Sequence, residues 1–545
     1  MRSTFFGLEI GKTGLTVSQI GLDITSHNIA NVDTKGYTRQ RIVSTAYDPF
    51  MNIGKALPVS QANVGGGVNI KIHDQIRSAY LDRRYRTENT LNAYWQKRTE
   101  SMRYLESYFD NVNEETSINF SIARFFQAMK TLAEDTVEGA PRTLLQTAGQ
   151  DLVQQLNSIY DGLVDLQESQ NHAVGVTVTQ INRIADEIAA LNKSIYVYEV
   201  TGYVANDLRD KRNLLIDNLS TLVDVEYREY ADAKGDTKFT VSIGGKTLVD
   251  HVDTWQLGVK EVDNPIPELK AVNKSPVLEP VWMKYDLTDG LIPDDDNPLV
   301  LKGGELKAYL DMRDGNGEGK NMKGIPYYID MLNNLARALV VEINTIHVQG
   351  WTDHPVEGSS TGILFFKDGG AGTVAAGGAY IINNAKLIDI TAKNISLSDE
   401  VAKSAYNIAC SSSMIVKQGL GNPEELQRGN NENMNKLYAL FLKKDIALEI
   451  GTAGGIAIGS FDGYATSIRF DVGNTLNTAT KSAENSNTLT IAAENQRTSV
   501  AGVSLDEEMT NLVKYQHAYS GAARVITAMD DALDRLINGT GRVGL

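Results

Sequence analysis

Two series of apolar residues recur every seven positions near the start of the chain. They are Leu8, Leu15, Leu22 and Ile29, and then Ile10, Val17 and Ile24. Because each residue turns an α-helix by about 100°, the second series lies roughly 200° round the helix from the first. A helix with apolar stripes on two sides cannot bury both of them against one partner. The pattern therefore predicts a helix over 4–30 that packs between several neighbours.

The end of the chain has a similar heptad pattern. Ser504 followed by Glu507 forms a capping box, which predicts a helix that begins at Leu505 and ends at Gly539. Two heptad series are predicted to fill its core positions, namely Leu505, Leu512, Tyr519, Ile526 and Leu533, and then Met509, Gln516, Ala523, Asp530 and Ile537. A further stripe widens this face and consists of Tyr515, Ala522, Met529 and Leu536. The spacing is typical of a coiled coil.

Between the two ends, the pattern predicts long helices and two β-rich segments. Helical spacing follows Pro141, a good first helical residue, and it recurs in four stretches: 145–166, 181–195, 207–222 and 304–347. Alternating, β-branched or glycine-rich runs predict strands over 225–300 and 351–394. These segments lead to a multidomain α+β fold with a terminal-helix coiled coil, a long-helix bundle domain and inserted β-rich outer domains. The predicted coiled-coil assembly domain joins 1–110 to 490–545, and the predicted helical middle domain joins 111–224, 303–350 and 395–489. The predicted β-rich outer domain is 225–302, and a further β-rich insertion is 351–394.

Composition narrows the classes of function. The chain has 545 residues and a formal net charge of −16, so it would repel a phosphate backbone, and we expect no nucleic-acid partner. Its single cysteine, Cys410, lies in a predicted helical stretch, 401–414, and excludes an internal disulfide framework. No stretch approaches the ~18 consecutive apolar residues of a membrane span, and the N-terminus lacks the apolar core of a secretory signal peptide. We therefore expect no membrane insertion and no cleaved signal.

A search for catalytic or metal-binding motifs gives only weak candidates. Gly245-Lys246-Thr247 lacks the earlier glycine of a phosphate-binding loop and lies in a predicted hairpin. The seven histidines are scattered without metal-ligand spacing, and no pair of carboxylates is singled out as acid and base. We therefore predict no catalytic residues, no metal site, no cofactor and no enzymatic activity.

The segment after the first helix carries a distinctive string, 27–40, that reads HNIANVDTKGYTRQ. Asn31 is suited to end the helix in the left-handed conformation, and Asp33 with Gly36 to make a turn. The string resembles the N-terminal signature of the flagellar axial proteins, the family of rod, hook and hook-associated subunits. The matching positions are Asn28, Ile29, Ala30, Asn31, Thr34, Gly36, Tyr37 and Arg39. The closing helix, with the segment 499–508 before it, is similar to the C-terminal signature of the same family.

Within this family, the chain is most similar to the hook-associated members, because the resemblance extends over the helical segments 178–195, 206–224, 303–314 and 342–350. That resemblance implies a structural subunit at the hook–filament junction, extracellular, needed for filament assembly and motility. It implies export without a cleaved signal through the flagellar type III apparatus. The implied partners are further copies of the chain in a ring, the hook protein, the next hook-associated junction protein, and an export chaperone on the C-terminal helix.

The same resemblance, joined to the two-sided stripes, makes the two terminal helices the expected assembly interface. Three alternatives stay open at this point. The chain could be another axial protein, such as the hook protein or a distal rod protein. It could be an extracellular coiled-coil adhesin, which would not need the string 31–39. An extracellular enzyme fused to an axial protein is the third, although such a fusion should add a catalytic motif beyond the closing helix.

Overall fold

The computed structural model describes most of the chain. The described residues are 6–46, 66–109, 117–201, 204–231, 237–270, 275–286, 290–295, 297–318, 322–353, 359–375, 379–414, 429–450 and 455–539. They form two compact units. We call Met1–Thr90, Ile181–Gln256 and Ser486–Leu545 the terminal unit, and Leu91–Gln180 and Leu257–Asn485 the central unit. The four-part division made from the sequence stays a prediction.

In its described residues, the terminal unit contains the two end helices, a third helix and two antiparallel sheets. Its helices are α1 (Phe6–Ala30), α5 (Asn206–Leu222) and α12 (Leu505–Gly539). One sheet pairs β1 (Gln40–Ala46) with β2 (Val68–Gln75). The other has the order β3-β4-β5-β6, with β3 (Val225–Ala231), β4 (Thr237–Ile243), β5 (Lys246–Asp250) and β6 (Asp253–Thr254). Gly244 and Gly245, with φ of 56° and 87°, turn β4 into β5, as the sequence predicts for this hairpin.

Three long helices have residues in both units. They are α2 (Ala79–Phe109), α4 (Gly139–Val200) and α11 (Phe461–Ala501). The sequence treats 145–166 and 181–195 as separate helical stretches, but α4 is continuous through both of them. The heptad spacing up to Leu166 and the three-and-four spacing from Ile181 are local variants of one amphipathic helix. The residues between them, which include the buried Val174 and Val178, continue the apolar face.

In the part of the chain that the structure describes, the central unit is built on helices, with three short sheets. Its helices are α3 (Ile118–Glu134), α6 (Pro267–Lys270), α7 (Gly304–Asp314), α8 (Ile325–His347), α9 (Asp399–Lys403) and α10 (Glu432–Leu442). Its strands are β7 (Leu257–Val262), β8 (Val277–Asp286), β9 (Gly290–Pro293), β10 (Gly372–Val374), β11 (Tyr380–Ile382), β12 (Ile446–Ile450) and β13 (Gly455–Gly459). One face of α3 and most of α8 are buried in a single apolar core. The α+β class predicted from the sequence is confirmed.

The strands of the two β-rich segments are found in both units. The segment 225–300 is divided, because β3–β6 belong to the terminal unit and β7–β9 to the central unit. Within its described residues, 351–394 has just one pair of three-residue strands. Phe365 and Phe366 from this segment enter the core, with ring centroids 5.5 and 5.8 Å from that of Phe125. The aromatic pair therefore makes this segment part of the helical core.

The structure also changes the setting of Cys410. The sequence places it in a helical stretch, 401–414, but the helix α9 ends at Lys403 and Ser411 forms a β-bridge with Trp351. Cys410 is buried, and its thiol is directed at the carbonyl oxygen of Ile408. Burial raises the pKa of this thiol to about 11, so it carries little thiolate at neutral pH.

Candidate functional site: the terminal helix pair

Helices α1 and α12 pack against each other along a line of small residues on α1. These residues have heptad spacing and are Gly7, Gly11, Gly14, Ser18, Gly21, Thr25 and Asn28. A Cβ atom added to Gly21 would lie 2.6 Å from the ring of Tyr515, and one added to Gly11 would lie 2.8 Å from Ile526. The two helices therefore approach more closely at these positions than any side chain would permit. We call this contact the glycine seam.

The predicted assembly stripes on α1 lie on either side of the glycine seam. At about 100° per residue, the Leu8 series and the Ile10 series each lie roughly 80° from its centre, in opposite directions. All seven residues of these stripes are half-buried in the isolated chain: Leu8, Leu15, Leu22, Ile29, Ile10, Val17 and Ile24. Neither stripe therefore forms the main contact with α12. Both leave apolar surface exposed beside it.

On α12, one of the two predicted core series is wrong. The side chains that meet the glycines of α1 are those of Tyr515, Ala522, Val525, Ile526 and Met529. Three of these, Tyr515, Ala522 and Met529, belong to the further stripe that widens the predicted face of α12. Along the helix they alternate with the core series that contains Leu512, Tyr519, Ile526 and Leu533. The other series lies outside the seam, where Met509 is 60 % exposed and Ile537 is 64 % exposed.

The two polar residues of the misassigned series are exposed as well. Gln516 and Asp530 belong to a series predicted to fill the core, but both lie on the solvent side of α12. Leu505, which belongs to the other series and lies at the first turn of the helix, is also 46 % exposed. The sequence did contain a signal for the face of α12 that meets α1. The misassigned series has two polar residues and the Leu512 series has none without an apolar ring or chain, and burying a polar group without a partner is costly.

The signature string forms a hydrogen-bonded clamp at the base of this helix pair. The Asn28 side chain, which is buried, donates to the backbone oxygen of Gln40 at 2.9 Å and to the Glu508 carboxylate at 3.1 Å. The Asn28 side-chain oxygen accepts from the Tyr37 hydroxyl at 2.8 Å and from the Gln40 amide at 3.0 Å. One amide side chain thus ties the end of α1, the start of β1 and the start of α12 together.

Arg39 closes the clamp from the other side. Its Nε donates to Glu508 at 2.7 Å, its Nη1 donates to Glu507 at 2.5 Å, and its backbone amide donates to the carbonyl oxygen of Ala501. Glu508 is almost fully buried, whereas the Glu507 side chain is 62 % exposed. The predicted start of α12 at Leu505 is confirmed. Glu507, the glutamate of the predicted capping box, is bound by Arg39.

The turn between α1 and β1 differs in detail from its prediction. Asn31 does not adopt a left-handed backbone conformation, and its side chain instead donates to the carbonyl oxygen of His27. The Asn31 side-chain oxygen accepts from the Thr34 hydroxyl at 3.1 Å. Gly36 is the residue with the positive φ, 82°, and a Cβ there would lie 3.3 Å from Leu214. The positive φ and the short distance to Leu214 both favour glycine at position 36, the residue found in the signature.

The clamp continues to α5 through Thr38. The Thr38 amide and hydroxyl both donate to the Asp210 carboxylate, at 2.9 and 2.6 Å, and Gln40 donates to Asp207. Burial raises the pKa of Asp210 to about 6, although the bonds from Thr38 and the charge of Arg77 act in the opposite direction. The signature string is therefore held from both sides, by the start of α12 and by α5.

A second charge cluster in the same unit was not singled out from the sequence. The Asp217 carboxylate on α5 accepts from Arg86 of α2 at 2.7 Å and from Arg497 of α11 at 2.6 Å. The Arg497 guanidinium also lies over the ring of Tyr85, 3.9 Å from its centroid. Sequence spacing gives no signal for a pair 280 residues apart.

Within the described residues, no helix is long and apolar enough to span a membrane, and no cluster of three or more potential ligands is suited to a metal ion.

Known proteins resemble this chain along nearly its whole length. Three family models match it: the flagellar hook-associated protein FlgK helical domain over 102–366, the C-terminal region of the flagellar basal body rod FlgEFG proteins over 485–539, and the flagella basal body rod protein over 8–38. Together they cover well over half of the chain. The two rod models match the helices of the glycine seam.

Two of the similar proteins have the same name. Flagellar hook-associated protein 1 of Bacillus subtilis (strain 168) is 28 % identical, and the match covers 99 % of each chain. The protein of the same name in Escherichia coli (strain K12) is 25 % identical over 96 % of this chain and 98 % of that one. The fold also resembles the flagellar hook junction protein FlgK from Burkholderia pseudomallei, with a TM-score of 0.52, 15 % identity, and coverage of 78 % of this chain and 100 % of that chain. The chain belongs to the flagellar hook-associated protein 1 (FlgK) family, among the rod and hook axial proteins.

Proposed function

We propose that this chain is a structural subunit of the bacterial flagellum that forms the hook–filament junction and is needed for filament assembly. The observation that carries the proposal is the arrangement of the terminal helices. The glycine seam joins α1 to α12, and apolar stripes on both of its sides remain exposed in the single chain. Such surface is unfavourable in water unless neighbouring molecules cover it.

The proposed mechanism is assembly without catalysis. The Leu8 and Ile10 stripes of α1 pack against the terminal helices of neighbouring copies, as do the exposed Met509 and Ile537 of α12. Repetition of a contact between unlike surfaces closes a ring or continues a tube. The hook protein on one side and the next hook-associated junction protein on the other are the proposed partners of this ring.

Export and protection before assembly complete the proposal. The chain leaves the cell through the flagellar type III apparatus without a cleaved signal, and it resides at the hook–filament junction. An export chaperone covers the C-terminal helix beforehand, because the exposed apolar side chains of α12 favour aggregation. This helix carries several such side chains in its described part: Leu505, Met509, Val513, Val525, Leu536 and Ile537.

Electron microscopy of a strain that lacks the gene tests the proposal. We expect hooks without filaments, flagellin in the culture medium, and restoration of filaments by a plasmid copy. Loss of the hooks themselves would instead indicate a hook or distal rod protein. Normal filaments on the deletion strain would refute a junction role and would favour an adhesin.

A further inference from the structure

A backbone group fixes the orientation of the Asn28 amide in the clamp. The Gln40 amide donates to the side-chain oxygen of Asn28 at 3.0 Å, so the oxygen and the nitrogen of this side chain cannot be exchanged. The nitrogen donates both of its hydrogens, one to the backbone oxygen of Gln40 and one to Glu508. The side-chain oxygen of Asn28 can therefore only accept hydrogen bonds.

The orientation of Asn28 sets the direction of the Tyr37 hydroxyl. This hydroxyl lies 2.8 Å from the Asn28 side-chain oxygen, so Tyr37 must be the donor. Burial raises the pKa of Tyr37, and the hydroxyl therefore keeps its proton. The negative charges of three nearby carboxylates act in the same direction, namely those of Asp207, Asp210 and Glu508. The one hydrogen of the hydroxyl is thus committed to Asn28, and toward any other neighbour the oxygen can only accept.

His27 is such a neighbour. Its Nδ1 atom lies 3.0 Å from the Tyr37 hydroxyl oxygen, and because that oxygen can only accept, Nδ1 must carry a hydrogen. The other ring nitrogen, Nε2, lies 3.8 Å from the Asp207 carboxylate, which is beyond hydrogen-bond distance. His27 begins the signature string, but it is not among the positions that match the family. The resemblance therefore assigns it no role.

We propose that His27 is a positioning residue of the clamp and acts through Tyr37. Its Nδ1 hydrogen bonds the Tyr37 hydroxyl and directs that hydroxyl at Asn28. The Asn28 amide is thereby held in the orientation that binds Glu508. This chain of donors links the end of α1 to the start of α12. The proposal concerns the single chain, so its failure would leave the proposed junction role intact.

Nitrogen-15 NMR of protein labelled at histidine tests where the hydrogen lies. The His27 signal is identified by its absence from the His27→Asn spectrum. At about pH 8.5, where histidines are ordinarily neutral, it should show a hydrogen on Nδ1 and none on Nε2. Tyr37→Phe removes the acceptor, so the hydrogen should then move to Nε2, which faces Asp207. A neutral wild-type ring with its hydrogen on Nε2 would overturn the proposal, and so would a hydrogen that stays on Nδ1 in Tyr37→Phe.

Two substitutions of His27 separate the roles of its ring nitrogens. An asparagine side chain can place its amide nitrogen where Nδ1 lies, whereas glutamine can place its amide nitrogen where Nε2 lies. Hydrogen-exchange mass spectrometry of peptides that contain the Gln40 and Glu508 amides reports on the clamp. His27→Gln should accelerate exchange there about fivefold, because the hydrogen bond to Tyr37 is lost. His27→Asn should remain close to the wild type. Helix propensity alone predicts the opposite order, since glutamine is the better helix former.

The Tyr37→Phe background shows whether the effect passes through Tyr37. Without the hydroxyl, the slower exchange of His27→Asn relative to His27→Gln should disappear. An advantage of His27→Asn that persists in Tyr37→Phe would mean that His27 acts by another route and would overturn the proposal. Exchange in the single variant His27→Asn that is as fast as in His27→Gln would overturn it as well.

Discussion

At the scale of single residues, the clearest result is that the signature string is a set of hydrogen-bonding partners. Asn28, Tyr37 and Arg39 all contribute to the clamp that holds the start of α12, and Gly36 supplies the positive φ of the turn. The sequence predicts the turn, but it does not identify Glu508 or Asp210 as the hydrogen-bonding partners of the string. Those partners are remote in the chain, and pattern analysis detects only local spacing.

Two buried titratable residues, one in each unit, contribute to the pH dependence of stability with opposite signs. The folded-state pKa of Asp210 is raised to about 6, so its contribution to stability is fully present below its ordinary pKa of 3.8 and is lost as the pH rises through about 6. The pKa of His347 is lowered to about 4 because it is buried, with its ring between the carbonyl oxygen of Ile363 and the amide of Ala409. Its contribution is present above the ordinary value of 6.5 and is lost as the pH falls through about 4.

Urea unfolding between pH 4 and pH 6.5, read by fluorine NMR of fluorotryptophan-labelled protein, checks these signs. Trp255 reports on the terminal unit and Trp351 on the central unit. On lowering the pH, Asp210 should stabilise the terminal unit and His347 should destabilise the central unit, each by on the order of 2–3 kcal/mol. Asp210→Asn should remove the rise in the free energy of unfolding of the terminal unit on lowering the pH, without affecting the central unit. His347→Gln should remove the fall in the free energy of unfolding of the central unit, without affecting the terminal unit. Equal slopes in wild type and variant would contradict the assignment.

At the scale of elements, the position and length of the end helices were predictable, but the face by which they meet was not. Heptad periodicity located α1 and α12 to within a residue or two at each described end. It assigned the contact to the largest apolar side chains, because burial of large side chains usually drives helix packing. Here the closest contact runs along glycines, and the large side chains flank it. The sequence signal for this was the heptad spacing of Gly7, Gly14 and Gly21.

A pair of glycine substitutions tests the seam directly. Gly21→Ala adds a Cβ that would lie 2.6 Å from the Tyr515 ring, whereas one added to Gly521 of α12 meets nothing within 4 Å. Alanine favours a helix over glycine by about 1 kcal/mol, so Gly521→Ala should slow amide hydrogen exchange in α12. Gly21→Ala should accelerate it, since the overpacking costs about 1–3 kcal/mol and outweighs the propensity gain.

Hydrogen-exchange mass spectrometry over 508–533 provides the measurement. The double variant Gly21→Ala, Tyr515→Ala removes the ring that the new Cβ meets, and the effect of the glycine substitution should largely disappear in that background. A Gly21→Ala protein whose α12 exchanges as slowly as that of Gly521→Ala would show that the helices do not approach closely at this position.

At the scale of the whole molecule, the sequence separated helical from β-rich regions but not the units to which they belong. The segment 225–300 was predicted as one β-rich outer domain, yet its strands divide between the two units near Gln256 and Leu257. The segment 351–394 was predicted as an insertion, yet its Phe365 and Phe366 enter the central core. Strand propensity reports on local backbone preference, whereas assignment to a unit depends on contacts that are remote in sequence.

The stripes beside the glycine seam link this architecture to the proposed assembly, and Val17 tests that link. Val17 belongs to the Ile10 stripe and is half-buried in the single chain. In the proposed assembly, a neighbouring copy covers this stripe and buries Val17. Val17→Asp should reduce the number of filaments at least tenfold and release flagellin into the medium, because an unpaired carboxylate in an apolar contact costs several kcal/mol.

Gln19→Asp is the matched control, because it adds the same charge to an exposed position of the same helix two residues away. It should leave filament number, counted by electron microscopy, close to that of the wild type. The contrast between the two variants separates burial of the stripe from a general effect of negative charge on α1. Normal junctions in the Val17→Asp strain would mean that this stripe stays exposed to solvent in the assembly, and the terminal helices would then have to associate through the Leu8 stripe and the α12 side chains.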